Sequence, residues 1–293
     1  MRTKERAVLS LTAAALALLL LSGVLTWQSR HLRQTEYHTV QVEAARRLER
    51  YFEAVRGYKQ ELGIPMSQDD IHQTGMIGLP YTGITTTSGA LEAKRTAAQP
   101  DMAALCVRML YEAGVQTGDT VGAGFSGSFP GMNLAVVAAC ESMGVELICI
   151  SSVGASTYGA NNPELTFPEM LYRLNRDGLI QTRSAAVTMG GHKDVGADMD
   201  PETAARIRVR LQRAGLPLFT EEDFAANLER RQAIYGSIRC FVAVGGNLTS
   251  LGRGESGCLW DRACFTPTEG CGSTRTAAWC SAILPGGSRS STC

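Results

Sequence analysis

The sequence predicts an α/β domain built on a doubly wound, mostly parallel sheet, preceded by an N-terminal transmembrane helix and a helical stalk. Three observations predict it. An uncharged apolar run lies near the N-terminus, apolar strands alternate with glycine-closed helices from about 100 to 244, and a small polar loop follows each strand. The second observation decides the class, because alternation of strand and helix along a chain is the signature of βαβ units around a parallel sheet.

From Ala7 to Trp27 every residue is apolar or small and none is charged. That is about the length a helix needs to cross a hydrocarbon core of roughly 30 Å. Arg2, Lys4 and Arg6 precede the run, which a cleaved signal peptide would also show, but no A-x-A-like cleavage site follows it. The expectation is an anchor over residues 1–34 with a transmembrane helix at about 7–27. Trp27 suits the interfacial belt, and the basic start favours a cytoplasmic N-terminus, against which Arg30 and Arg33 count. The body is therefore expected outside the cytoplasm, held to the cell membrane by a single pass. Residues 35–65 carry Val40, Val42, Leu48, Phe52 and Val55 at mixed helical spacings and close on Gly63 and Pro65. They read as a helical stalk with a solvated charged face.

The α/β domain is expected over residues 66–250. Pro100 to Gly114 has Pro in its first turn, Leu105, Met109, Leu110 and Ala113 at helical spacing, and Gly at its end. Thr120 to Phe125 reads as a strand, Met132 to Met143 as an apolar helix closed by Gly144, and Val145 to Ile150 as a strand buried on both faces. Further on come a helix at Pro168 to Asp177, a strand at Ala185 to Met189 and a helix opened by Asp200-Pro201 and ended by Gly215. A helix from Thr220 to Tyr235 and the strand Cys240 to Val244 complete the series.

Composition removes several functions. Lysine plus arginine equal aspartate plus glutamate at 28 each, so there is no basic excess to neutralise phosphates and nucleic acid is not expected as a partner. Nine cysteines fall into two groups. Cys106, Cys140, Cys149 and Cys240 sit singly among apolar residues, as small buried hydrophobes do. Cys258, Cys264, Cys271, Cys280 and Cys293 crowd the end without zinc-site spacing. No metal and no cofactor are expected.

Gly122-Ala-Gly124-Phe-Ser126-Gly127 has the letters of a dinucleotide fingerprint, but its first two glycines fall inside the predicted strand and no acidic residue ends the next strand to hold a ribose. Read as a phosphate loop, it has Ser128 and Phe129 where Lys and Ser/Thr are required, so it lacks both the charge and the magnesium ligand. Read as a nucleophile elbow, Gly124-Phe-Ser126-Gly-Ser128 sets a serine at a strand-to-helix turn. Ser126 would then need a base. His192, after a strand end, is the candidate, with Asp194 or Asp198 to orient it.

The strand-end loops Ser126-Gly127-Ser128, Ser151-Ser152-Val153-Gly154, Gly190-Gly191-His192 and Gly245-Gly246-Asn247 would converge at one end of such a sheet. With Thr85, Thr86 and Thr87 of a hydroxyl run, and with Lys94 and Arg95 just beyond it, they form a candidate site for a carboxylate-bearing ligand. Taken singly, each loop also serves merely to turn the chain.

Tyr81 to Thr96 (YTGITTTSGALEAKRT), Gly124 to Val136 (GFSGSFPGMNLAV) and Ile150 to Glu164 (ISSVGASTYGANNPE) resemble the poly-gamma-glutamate system proteins of bacterial capsule biosynthesis. The resemblance spans roughly residues 70 to 250. It implies an accessory protein beside the polymer synthase and export membrane proteins, with an anionic glutamyl ligand, and it carries over no catalytic residues. Two functions follow. One is a module that binds glutamate or the polyanionic polymer. The other is a serine-dependent hydrolase or transferase on gamma-glutamyl bonds, with Ser126 as nucleophile and His192 as base.

From Gly252 to Cys293 apolar periodicity is lost and Cys, Trp, Arg, Ser and Gly accumulate. Family members continue instead with ordered α/β sequence. Residues 251–293 are therefore expected to be an irregular tail from a shifted reading frame, the alternative being a disordered cysteine-bearing extension.

Overall fold

A computed structural model describes residues 2–29, 36–245 and 249, with side chains in the first stretch described from residue 12 to 27. The irregular tail expected over 251–293, with its five cysteines, lies outside the described residues. The chain divides into two compact units, Met1–His38 and Thr39–Cys293.

In the first unit, α1 (Arg2–Ser29) is a continuous helix. Leu16, Leu18, Leu19, Leu20, Leu21, Val24, Leu25 and Trp27 are exposed on it. Among the described residues, no helix is long and apolar enough to cross a membrane. The side chains described, 12–27, make a stretch shorter than the roughly 20 residues a span needs. The transmembrane helix expected at 7–27 thus has no support from the structure.

In the second unit, α2 (His38–Glu61) is not a free-standing stalk. Its Ala44, Leu48, Tyr51, Phe52, Val55 and Tyr58 are buried. Tyr51 donates to Glu141 at 3.2 Å and Tyr58 to Asp177 at 2.7 Å. The mixed spacing of apolar residues read from the sequence is that of a helix with one packed face, and the charges other than the buried Lys59 lie largely on the other.

The body is α/β. In chain order it comprises β1 (Thr85–Thr87), α3 (Leu91–Ala97), α4 (Asp101–Glu112), β2 (Thr120–Phe125), α5 (Pro130–Met143), β3 (Glu146–Ser152), β4 (Ala155–Ser156) and α6 (Phe167–Arg176). Then come β5 (Ser184–Thr188), a 3-10 turn (His192–Asp194), α7 (Pro201–Arg213), α8 (Phe224–Tyr235) and β6 (Cys240–Val244). Four strands form an all-parallel sheet in the order β5-β3-β2-β6, and β1 pairs in parallel with β4 in a separate two-stranded sheet.

Alternate residues of β3 show that the sheet is covered on both faces. Ile148 and Ile150 pack with Ala186, Phe219, Ile234, Tyr235, Ile238 and Phe241, on the side of α8. Cys149 points the other way, towards Cys140 of α5, and Phe125 meets Phe167 of α6 edge-to-face at 5.8 Å on that same side. Near-continuous apolar strands suit such two-sided burial.

Local signals set the helix ends. Thr166 and Glu169 form a reciprocal capping box on α6, and Asp200 and Asp223 accept from Thr203 and Ala226 at the starts of α7 and α8. Gly144, with φ of 66°, ends α5 in the left-handed region. Gly122 has a packing reason, since a Cβ there would lie 2.6 Å from Ile238 Cδ1 and 3.1 Å from Tyr235 Cδ1. It allows the end of α8 to press on β2, so this glycine of the fingerprint-like motif serves the sheet.

Candidate functional site

The sheet order places β2 between β3, which follows it, and β6, which comes last. The chain leaves β2 through α5 for β3 and reaches β6 from β5 through α7 and α8, and the carboxyl ends of strands at such a reversal of order are where open α/β sheets hold ligands. Ser126 follows β2 and Gly245 follows β6 at this point. The Ser126 N–H donates to the Val244 carbonyl at 3.1 Å. Gly245 has φ of 87°, and a Cβ on it would sit 2.7 Å from the Cβ of Ser126, so only glycine fits. Gly246, also expected in the site, lies outside the described residues.

The Ser126–Ser128 loop is tied internally and to the chain beyond β3. The Ser126 hydroxyl accepts from the Ser128 N–H at 3.1 Å and donates to the Ser128 hydroxyl at 2.8 Å. Ser128 Oγ accepts in turn from the Ser156 N–H at 3.0 Å. Gly127 donates to the Gly154 carbonyl and accepts from Ala160. A Cβ on Gly127 would lie 2.8 and 2.9 Å from the carbonyl oxygens of Val153 and Gly154. The glycine is therefore required by a close backbone approach.

Into this loop α3 delivers Lys94. Its side chain is 3% exposed, a condition lysine rarely meets without a partner of opposite charge. Nζ donates to the Ser128 carbonyl at 2.5 Å and to Ser156 Oγ at 2.6 Å and stands 3.5 Å from the centre of the Phe129 ring. Among the described residues, no carboxylate pairs with it. Burial alone pulls its pKa from 10.5 down to about 7, because a charge far from water is disfavoured. Phe129 is also the cap residue of α5 and makes no side-chain cap, so that helix begins beside Lys94 with its first N–H groups uncapped. A buried cation without a counter-ion next to an uncapped helix start can attract a carboxylate, and in its neutral form it can accept a proton.

The remaining expected residues are occupied otherwise. Thr85 accepts from the Thr82 N–H and from Asn161, Thr86 reaches the Ala155 carbonyl, and Thr87 is exposed. Together these threonines are β1, a strand and not a ligand loop. Arg95 turns away from Lys94 and donates to the Asp69 carbonyl at 2.9 Å. Ser151 shares a 2.6 Å hydrogen bond with Ser184 inside the sheet, and Ser152 donates to the Phe125 carbonyl. Their strand runs two residues beyond the expected Ile150, so these serines belong to the ladder.

Among the described residues, no hydrogen bond joins His192 to Ser126. His192 is exposed, its backbone N–H donates to Asp198, and the hydroxyl of Ser126 is committed to Ser128. Asp194 is buried in an ion pair with Arg231 at 2.5 Å. It accepts besides from Thr188 at 2.9 Å and Asn227 at 3.2 Å. The set that the hydrogen bonds bring together is Lys94, Ser128 and Ser156, with Ser126 bonded to Ser128. Ser156 and Phe129 were missed. Each is one hydroxyl or one aromatic among many, and only the pairing of β4 with β1 brings Ser156 to Lys94.

Among the described residues, no group of three His, Cys, Asp or Glu side chains could hold a metal ion. Cys106, Cys140, Cys149 and Cys240 are buried free thiols whose pKa values burial pushes up, which makes them unreactive core residues. Comparison of the chain with protein-family models, with curated proteins and with solved structures gave no match.

Proposed function

We propose that this chain is a membrane-anchored accessory protein of poly-gamma-glutamate biosynthesis or export. Its α/β body binds glutamate or the polyanionic chain beside Lys94, at the loop that follows β2. The observation that carries the reading is Lys94, a buried cation with no carboxylate partner among the described residues, beside the uncapped start of α5. A carboxylate entering here would gain a charge-assisted hydrogen bond in a site from which water is excluded. The three stretches that carry the family resemblance contain Lys94, Ser126 to Phe129, and Ser156. The anchor rests on the apolar sequence Ala7 to Trp27, whose basic flank places the body outside the cytoplasm. In that place it stands beside the synthase and export membrane proteins.

Calorimetry of the full chain with gamma-linked glutamate oligomers tests the binding. Saturable heat that Lys94→Met abolishes is the expected result. The absence of heat with the unaltered protein contradicts the reading.

A further inference from the structure

Lys94 holds a hydroxyl as well as a carbonyl. Ser156 Oγ lies 2.6 Å from its Nζ, and the other nearby groups are the Ser128 carbonyl and the Phe129 ring. Ser156 is 4% exposed, and its backbone N–H is fixed on Ser128 Oγ, so the side chain is held in place from two directions. The loop through Gly89 passes directly over the pair. A Cβ on Gly89 would lie 2.9 Å from Ser156 Oγ and 3.2 Å from Lys94 Cε. Both backbone groups of Gly89 bond to the Thr157 hydroxyl, at 2.8 and 2.9 Å. A serine and a lysine in hydrogen-bond contact, buried and without a counter-ion among the described residues, have the makings of a nucleophile and its base.

We propose that Lys94 and Ser156 form a serine–lysine acyl-transfer centre that acts on an amide bond adjoining a carboxylate. The inference rests on the binding reading only in taking the gamma-glutamyl amide as that bond. Neutral Lys94 accepts the proton of Ser156 as Oγ bonds to the amide carbonyl carbon. The tetrahedral adduct collapses with breaking of the C–N bond, and the departing nitrogen takes the proton from Lys94. Ser156 is left as an ester. Water, or the amine of a second chain, then attacks the ester carbon and gives its proton to Lys94. As the C–O bond breaks, Oγ recovers that proton. Hydrolysis or transfer results, with atoms balanced and no other reactant.

The groups facing Lys94 are hydroxyl, carbonyl and aromatic. On its own helix Glu92 is exposed and Arg95 is turned to Asp69. No charged neighbour shifts its titration, so the reaction should rise with pH through about 7 as the amine becomes neutral.

The test is labelling of the full chain with a fluorophosphonate, the modified serine being located by peptide mass spectrometry. Label on Ser156 is expected, rising several-fold from pH 6 to 8, lost in Ser156→Ala and in Lys94→Met, and unchanged in His192→Ala. The pH profile of the unaltered protein needs no variant to fold. Label on Ser126 instead, dependence on His192, or no label on Ser156 between pH 6 and 9 overturns the proposal. Binding of glutamyl oligomers without labelling would sink this inference and leave the proposed function standing. Labelling without binding would do the reverse for the substrate.

Discussion

Three cations, Lys59, Lys94 and Arg231, are buried in the described body, and the last two are treated in opposite ways. Arg231, 6% exposed, has a carboxylate at 2.5 Å, and the Asn227 amide and the Thr188 hydroxyl complete its shell. Lys94, 3% exposed, has a carbonyl, a hydroxyl and an aromatic face, and no negative partner among the described residues. A closed network such as that of Arg231 fixes structure: it holds the loop after β5, where Lys193 and Asp194 take φ of 53° and 69°, against α8. An open one such as that of Lys94 leaves electrostatic demand unmet, and unmet demand at a perturbed buried group marks a candidate place for a ligand or for proton transfer. The same domain thus shows what a buried charge looks like when the fold uses it and when the fold leaves it available.

The largest effect expected from breaking this contrast is at the closed site. Asp194→Asn keeps the shape and tolerates the left-handed backbone, yet leaves Arg231 charged and unpaired. Urea unfolding should show a loss of about 3–5 kcal/mol. A loss below 1 kcal/mol would mean that the network is not closed as described.

At the open site the expected signature is a pH dependence. The folded chain releases the Lys94 proton at about 7, whereas the unfolded chain keeps it to near 10.5. Between those values the unfolded state binds more protons, so stability should rise with pH across that window. The rise from this residue amounts to a few kcal/mol at about 1.4 kcal/mol per pKa unit. Lys59, lowered to about 8 by burial and partly restored by Asp70, adds in the same direction from about 8 upward. Unfolding curves from pH 6.5 to 10 should therefore be steeper for the unaltered protein than for Lys94→Met. Equal slopes would place the Lys94 titration elsewhere.

A smaller effect tests how tightly the loop that follows β2 is held. Gly127→Ala forces a methyl against the Val153 and Gly154 carbonyls and should cost about 1–3 kcal/mol. It should also weaken glutamyl binding by moving Ser128. Smallest is Ser151→Ala, which strands the buried Ser184 hydroxyl at a cost of about 1 kcal/mol. Because Ser151 belongs to the ladder, binding should be untouched.

Much of the fold was legible because its signals are local. β2 and β6 begin and end where the apolar runs do, and Asp200, Pro201, Gly144 and Gly215 punctuate their helices as their chemistry requires. The site was half legible. Ser126 and Lys94 stood out as residue types in suggestive places, but the hydroxyl run 85–87 reads identically as loop or strand until Thr87 is set against Ser156 across 69 positions of chain. Likewise His192 was chosen because it follows a strand. Nothing within ten residues of it reveals that Asp194 turns inward to Arg231 while the imidazole stays outside. Pairings made by β1 with β4, or by α3 with the loop before α5, depend on the assembled sheet and leave no periodic trace.

The central claim, that Lys94 is a buried amine with no charged partner among the described residues and so serves a ligand or a proton, is tested most directly by NMR titration of isotope-labelled lysine side chains in the full chain. The expected result is a resonance, absent from Lys94→Met, that titrates near pH 7 and moves to higher pH when gamma-linked glutamate oligomers are added, as an opposite charge requires. A Lys94 that titrates near 10.5, with or without the oligomers, would contradict the account.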